Sequence, residues 1–183
     1  MPPDVYNPQI KKMVAALRQV DSRHMVYVET PHSFASIDQF MNLAPVDDPA
    51  VVYTFHDYDY RLKPRWPTMT MDIRNLEHQW LPAYKFSLKY DAPIAISEYG
   101  GFEQTPHDPW TNRSALVLLA DFFKVFDQFG MHHQYYSNRG ITRVRGDGSI
   151  RLSLVHEAYR RLFAGDTFYR FRENWQKKIK QGK

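Results

Sequence analysis

No cysteine occurs among the 183 residues, which excludes a disulfide framework, a thiolate metal site and a cysteine nucleophile, and leaves the compartment open. No apolar run approaches the ~20 residues of a transmembrane helix, so no membrane partner is expected. The start Met1-Pro2-Pro3-Asp4-Val5 lacks the basic and then apolar pattern of a secretory leader. The expectation is a soluble chain with no assigned localisation. Glycine patterns that cradle phosphates are missing too: there is neither a P-loop nor a Gly-x-Gly-x-x-Gly, and the turn after the first predicted strand is Thr30-Pro31-His32-Ser33. No compact spacing of metal ligands occurs, since His132 and His133 are adjacent on a predicted strand and point to opposite faces. Neither a metal nor a cofactor is expected.

What is present describes a folded domain. Hydrophobic residues make up 43% and aromatics 15%, more than a disordered chain holds, and the length suits one domain with a real core. The net charge of +4 is unevenly placed. From Arg139 onward there are twelve Lys/Arg against four Asp/Glu, whereas the preceding residues are net acidic. Phe168, Phe171, Trp175 and Ile179 recur at helical spacing in that basic end, which predicts an amphipathic extension over 167–183 beside a domain at 1–166. We read it as a solvated terminal helix, not a nucleic-acid arm.

The periodicity predicts a helix over about 8–20, opened by Asn7-Pro8, then strands at 25–29, 51–55, 93–97 and 131–136. Between them fall a short helix at 34–43, a long one at 72–90 with a bend at Pro82, and a third carrying Leu116, Leu119, Phe123, Phe126 and Phe129 on one face before Gly130. A last helix over 154–164 stops at Gly165. Strands alternating with long helices indicate an α/β fold with a parallel sheet, either doubly wound or part of a (β/α)8 barrel. Polar and aromatic residues gather just past the strand ends: Glu29, then His56, Asp57 and Tyr58, then Glu98 and Tyr99, then His132, His133, Tyr135 and Tyr136. Active sites of (β/α)8 barrels are built there.

The run Val51-Val-Tyr-Thr-Phe-His56-Asp-Tyr58, followed by Ile94-Ala-Ile-Ser-Glu98-Tyr-Gly-Gly, resembles glycoside hydrolase family 5, the cellulases and mannanases. The resemblance covers strands five to eight of that barrel. It implies a half-barrel, (β/α)4, with Glu98 as nucleophile of a retaining β-glycosidase, and His56 and Tyr58 lining the site and positioning nucleophile and substrate. A β-linked polysaccharide or oligosaccharide is the implied partner. The family's eighth strand usually ends in a Trp that stacks on the sugar; here His133, Tyr135 or Tyr136 would take that place. Trp66 and Trp110 fall in loops, where they either stack on sugar rings or pack on the barrel rim. The family's Asn-Glu-Pro, whose Glu is the acid/base, is absent from this chain.

A four-stranded half leaves both edge strands unpaired, which proteins manage by covering them. Completion by a homodimer or by a missing N-terminal half is therefore expected. Glu29 is the candidate surrogate acid, since retaining hydrolysis needs a second carboxylate ~5–5.5 Å from the first. The alternative is a non-catalytic half-barrel that folds or dimerises and binds sugar without cleaving it.

Overall fold

The computed structural model describes residues 2–31, 35–58, 72–102 and 108–165. Trp66 and the basic extension at 167–183 lie outside the described residues. The order is α1 (Pro3–Arg18), β1 (Val26–Glu29), a 3₁₀ turn at Ile37–Asn42, β2 (Val51–Asp57), α2 (Ile73–Tyr90), β3 (Ile94–Gly100), α3 (Ser114–Phe129), β4 (His132–Tyr136), a hairpin of β5 (Thr142–Val144) and β6 (Ile150–Leu152), and α4 (Leu154–Phe163). The four long strands form one parallel sheet in the order β1-β2-β3-β4 with flanking helices. This is part of a (β/α) barrel, and it closes the alternative of a doubly wound sheet.

The chain divides into two compact units. The first comprises Met1–Asp57, Glu77–Tyr99 and Gln128–Gln134. Its core lies between β2 and α2. Tyr53 and Phe55, on one face of β2, meet Phe86 and Trp80 at ring-centroid distances of 4.8 and 6.2 Å, and Phe40 of the 3₁₀ turn packs edge-on against both Phe55 and Phe86. Asp57 follows on the same face. It is 3% exposed and accepts from Trp80 Nε1 at 2.6 Å and Gln79 Nε2 at 3.0 Å.

Asn7-Pro8 was expected to open α1, yet the helix starts at Pro3 and Pro8 lies inside it. Asn7 is used in tertiary structure instead. Its amide donates to the Asn42 carbonyl at 3.0 Å and accepts from Ala44 N at 3.1 Å, fastening α1 to the end of the 3₁₀ turn.

The second unit comprises Tyr58–Leu76, Gly100–Asp127 and Tyr135–Lys183. Here α3 is apolar nearly all round: Ala115, Leu116, Val117, Leu118, Leu119 and Ala120 are all buried, as befits a core helix rather than a surface one. Phe123 packs edge-on against Tyr159 of α4 at 5.1 Å, and Tyr135 meets Tyr159 and Phe102. The β5–β6 hairpin, which the strands expected from the sequence do not include, forms an antiparallel ladder with Thr142 opposite Leu152 and Val144 opposite Ile150.

Candidate active site

The strand register decides which side chains meet. In a parallel pair, residues level with each other share a face, and faces alternate along each strand. Glu29 lies level with Thr54, so it shares the face of Thr54 and, two residues on, His56. Regular alternation along β3 would place Glu98 with Ile94 and Ile96, which are buried on the opposite face. A bulge prevents this. Phe55 is level with Ile96, but His56 is level with Glu98 and Asp57 with Tyr99, so Ser97 is the extra residue. One inserted residue reverses the alternation, turning Glu98 toward His56 and Tyr99 into the core, where it is fully buried.

The result is an imidazole with a carboxylate at each nitrogen. His56 Nε2 lies 3.1 Å from Glu29 Oε1, and His56 Nδ1 lies 3.5 Å from Glu98 Oε2. The side chains of His56, Glu29 and Glu98 are 13%, 54% and 35% exposed, so the ring is held while both carboxylates reach solvent. A neutral ring donates to one of the two, and only an imidazolium donates to both. The contacts and the width of one ring place the nearest oxygens of Glu29 and Glu98 no more than about 9 Å apart with the ring between them, a limit above the ~5–5.5 Å of retaining pairs. Tyr6 of α1 donates its hydroxyl to the Glu29 carbonyl and so fixes the end of β1. Burial, and then the charge of Glu29, raise the pKa of that phenol above its ordinary value, keeping it protonated as a donor.

His133 stands elsewhere in the same unit. Its Nδ1 lies 3.3 Å from the Tyr99 hydroxyl, which places it with the buried Tyr99 and not with the Glu29–His56–Glu98 group. Burial pulls its pKa down to about 4, with His132 adding to the effect. Among the described residues there is no cluster of His, Asp and Glu suited to a metal.

In the second unit, Tyr136 is 53% exposed at the end of β4 and meets Tyr58 edge-on at 6.5 Å. The Tyr136–Ser137 peptide is cis. Trp110 is not an exposed platform: it is 7% exposed, with the guanidiniums of Arg143 and Arg151 over its ring at 4.3 and 5.3 Å. Of the two readings of Trp110, the geometry is that of packing. Sequence reasoning missed Tyr6, Tyr99 as the partner of His133, and Ser97 as the bulge residue; a lone Tyr or Ser in these segments gives no signal of a tertiary partner.

A parallel sheet with flanking helices and a carboxylate–imidazole–carboxylate group at adjacent strand ends defines a (β/α)-barrel protein of the type whose sites lie at the C-terminal strand ends. The cellulase family, glycosyl hydrolase family 5, matches residues 3–140, and the chain belongs to that family. Among solved structures, a hyperthermophilic endo-β-1,4-glucanase in complex with substrate is 16% identical with a TM-score of 0.66, over 86% of this chain and 54% of that one. A tri-modular endo-β-1,4-glucanase of Bacillus licheniformis complexed with cellotetraose is 20% identical with a TM-score of 0.66, over 82% of this chain and 30% of the other. Thermotoga maritima Cel5A with cellobiose is 14% identical with a TM-score of 0.62, covering 74% and 47%. At these identities the likeness is one of fold, and the chain spans about half the length of the first of them or less. No curated protein matches the sequence.

Proposed function

We propose that this chain contributes the nucleophile side of a retaining β-glycosidase acting on β-1,4-linked glucan, with Glu98 as nucleophile. The observation behind this reading is the β3 bulge, which sets Glu98 level with His56 on the face of Glu29. Glu98 attacks the anomeric carbon, the aglycone oxygen leaves with a proton from an acid, and water releases the sugar from the covalent intermediate. His56 aims the carboxylate, and Tyr58 and Tyr136 serve as aromatic contacts for substrate. Glu29 occupies the far side of the His56 ring, so its use as acid requires that ring to leave the space between the two carboxylates. Trp66 remains a secondary candidate for sugar contact, and His133, beside the Tyr99 hydroxyl, is set apart from Glu98.

The test is intact mass after exposure to dinitrophenyl β-cellobioside, whose leaving group departs without protonation, so the nucleophile is read separately from the acid. A cellobiosyl adduct that Glu98→Ala abolishes is the expected outcome. Turnover that Glu29→Gln abolishes while the adduct persists would assign Glu29 the acid/base role. An adduct that survives in Glu98→Ala would refute the assignment.

The span of about half a relative's length and the missing Asn-Glu-Pro favour a second reading: a half-barrel that pairs with a second copy, or with the other half of a longer protein, and by itself binds sugar without hydrolysis. Neither adduct nor turnover, with retained binding of cellobiose, supports that reading.

A further inference from the structure

The β5–β6 hairpin and the segment leading to it concentrate positive charge that the described structure does not neutralise. Arg139, Arg143, Arg145 and Arg151 fall within this stretch, where Asp147 is the one acid, and that carboxylate accepts from Ser149 N at the hairpin tip. Arg143 and Arg151 sit directly opposite each other across the two strands, an arrangement that costs stability through like-charge repulsion. Their stacking on Trp110, and the hydrogen bond from Arg151 Nη2 to the Trp110 carbonyl at 3.3 Å, hold both guanidiniums in place without discharging them. Among the described residues, Arg139 and Arg143 take part in no ion pair.

Both line an open groove of about 910 Å³, together with Tyr136, Asn138 and Thr142 and, among the described residues, with no acidic side chain in its wall. That volume is at the upper end of small-ligand clefts, ~300–1,000 Å³. One wall offers the exposed Tyr136 ring, braced edge-on by Tyr58; the others offer amide and hydroxyl groups beside the two guanidiniums. A guanidinium fork matches a carboxylate in two parallel hydrogen bonds.

We propose that this groove binds a carboxylate-bearing saccharide, with Arg139 and Arg143 gripping the carboxylate and Tyr136 lying against a sugar ring. The choice of a saccharide as carrier of the charge rests on the carbohydrate reading of the chain; the choice of an anion rests on the arginines alone. The groove would thus select acidic glycans over neutral ones.

Isothermal titration of the full chain at about 0.15 M salt with carboxymethylcellulose, hydroxyethylcellulose and charge-matched polyglutamate tests this. Carboxymethylcellulose is expected to bind about tenfold tighter than either other polymer. Arg139→Gln and Arg143→Gln are each expected to remove most of that preference. Arg139 makes no contact with Trp110 that the hairpin depends on, so its variant remains informative if Arg143→Gln loosens the hairpin. Equal binding of polyglutamate would overturn the proposal as unspecific charge attraction. Equal binding of hydroxyethylcellulose, unchanged by Arg139→Gln, would overturn it while leaving the glycosidase reading standing. Absence of binding to all three would overturn it as well.

Discussion

At the scale of single residues, three positions carry predictions about pH and substitution. As the proposed nucleophile, Glu98 needs to be ionised, reachable and fixed in direction, and its 35% exposure and contact with His56 meet the last two needs. His133 is the residue whose titration couples to stability. The unfolded chain protonates it near the ordinary histidine value of about 6.5, whereas burial delays protonation in the fold to about 4. The unfolded state therefore binds more protons across this window, and stability rises with pH through it. The contribution is complete above pH ~6.5 and is lost as pH falls toward 4, up to about 3 kcal/mol. His133→Asn keeps an acceptor for the Tyr99 hydroxyl but cannot titrate. Urea unfolding between about pH 7.5 and 4.5 is expected to show a shallower loss of stability for His133→Asn than for the parent; parallel curves would rule the coupling out. Gly100 is the third case. It ends β3 at φ +128°, and a Cβ there would stand 2.1 Å from the Tyr136 carbonyl oxygen and 2.9 Å from the Tyr135 ring. Gly100→Ala is expected to cost about 2–5 kcal/mol from backbone strain and overpacking, read as a fall in Tm of at least several degrees.

At the scale of elements, the bulge in β3 and the α2 anchor set the site. Deleting Ser97 removes the extra residue, so Glu98 follows Ile96 directly and stays level with His56, with Tyr99 still level with Asp57. The deletion is therefore expected to leave unfolding cooperative, monitored by near-UV circular dichroism. Loss of the cooperative transition would show that Ser97 does more than set the face of Glu98. The α2 anchor is the pair of hydrogen bonds on Asp57. Trp80→Phe keeps most of the ring but removes the 2.6 Å donor to the buried carboxylate. It is expected to destabilise the protein by about 2–4 kcal/mol, and the double variant Trp80→Phe with Asp57→Asn should recover part of that loss.

At the scale of the whole molecule, among the described residues the sheet ends at β1 on one side and β4 on the other, each with a single neighbour. Open parallel edges invite pairing, and the chain spans about half of a relative. Sedimentation equilibrium over a hundredfold range of protein concentration is expected to give twice the chain mass of 21.7 kDa; a monomer throughout would exclude completion by a second copy.

Much of this was legible in the residue pattern. Strand positions follow from β-branched and aromatic runs, and Gly130, at φ +60°, ends α3 where a left-handed residue is required. Glu98, His56 and Glu29 were recognisable as strand-end residues because strand ends in alternating α/β chains fall on one side of the sheet, whatever the side chains do. The pattern also misled where two structures share one periodicity. Asn7-Pro8 has the form of a helix start, but its side-chain amide is worth more bridging Asn42 and Ala44. The apolar stripe on α3 marked one face of a helix buried on almost every face.

The sequence by itself determined the four long strands and the long helices between them, their order, the family and the cluster of ionisable residues at strand ends, because these depend on local propensity and short-range periodicity. Only the tertiary structure decided that Glu98 faces His56 instead of the core, that Glu29 stands on the far nitrogen of the same ring, and that His133 belongs to Tyr99. Each depends on register between strands distant in sequence, and a single extra residue reverses a whole face without leaving any trace in composition or period.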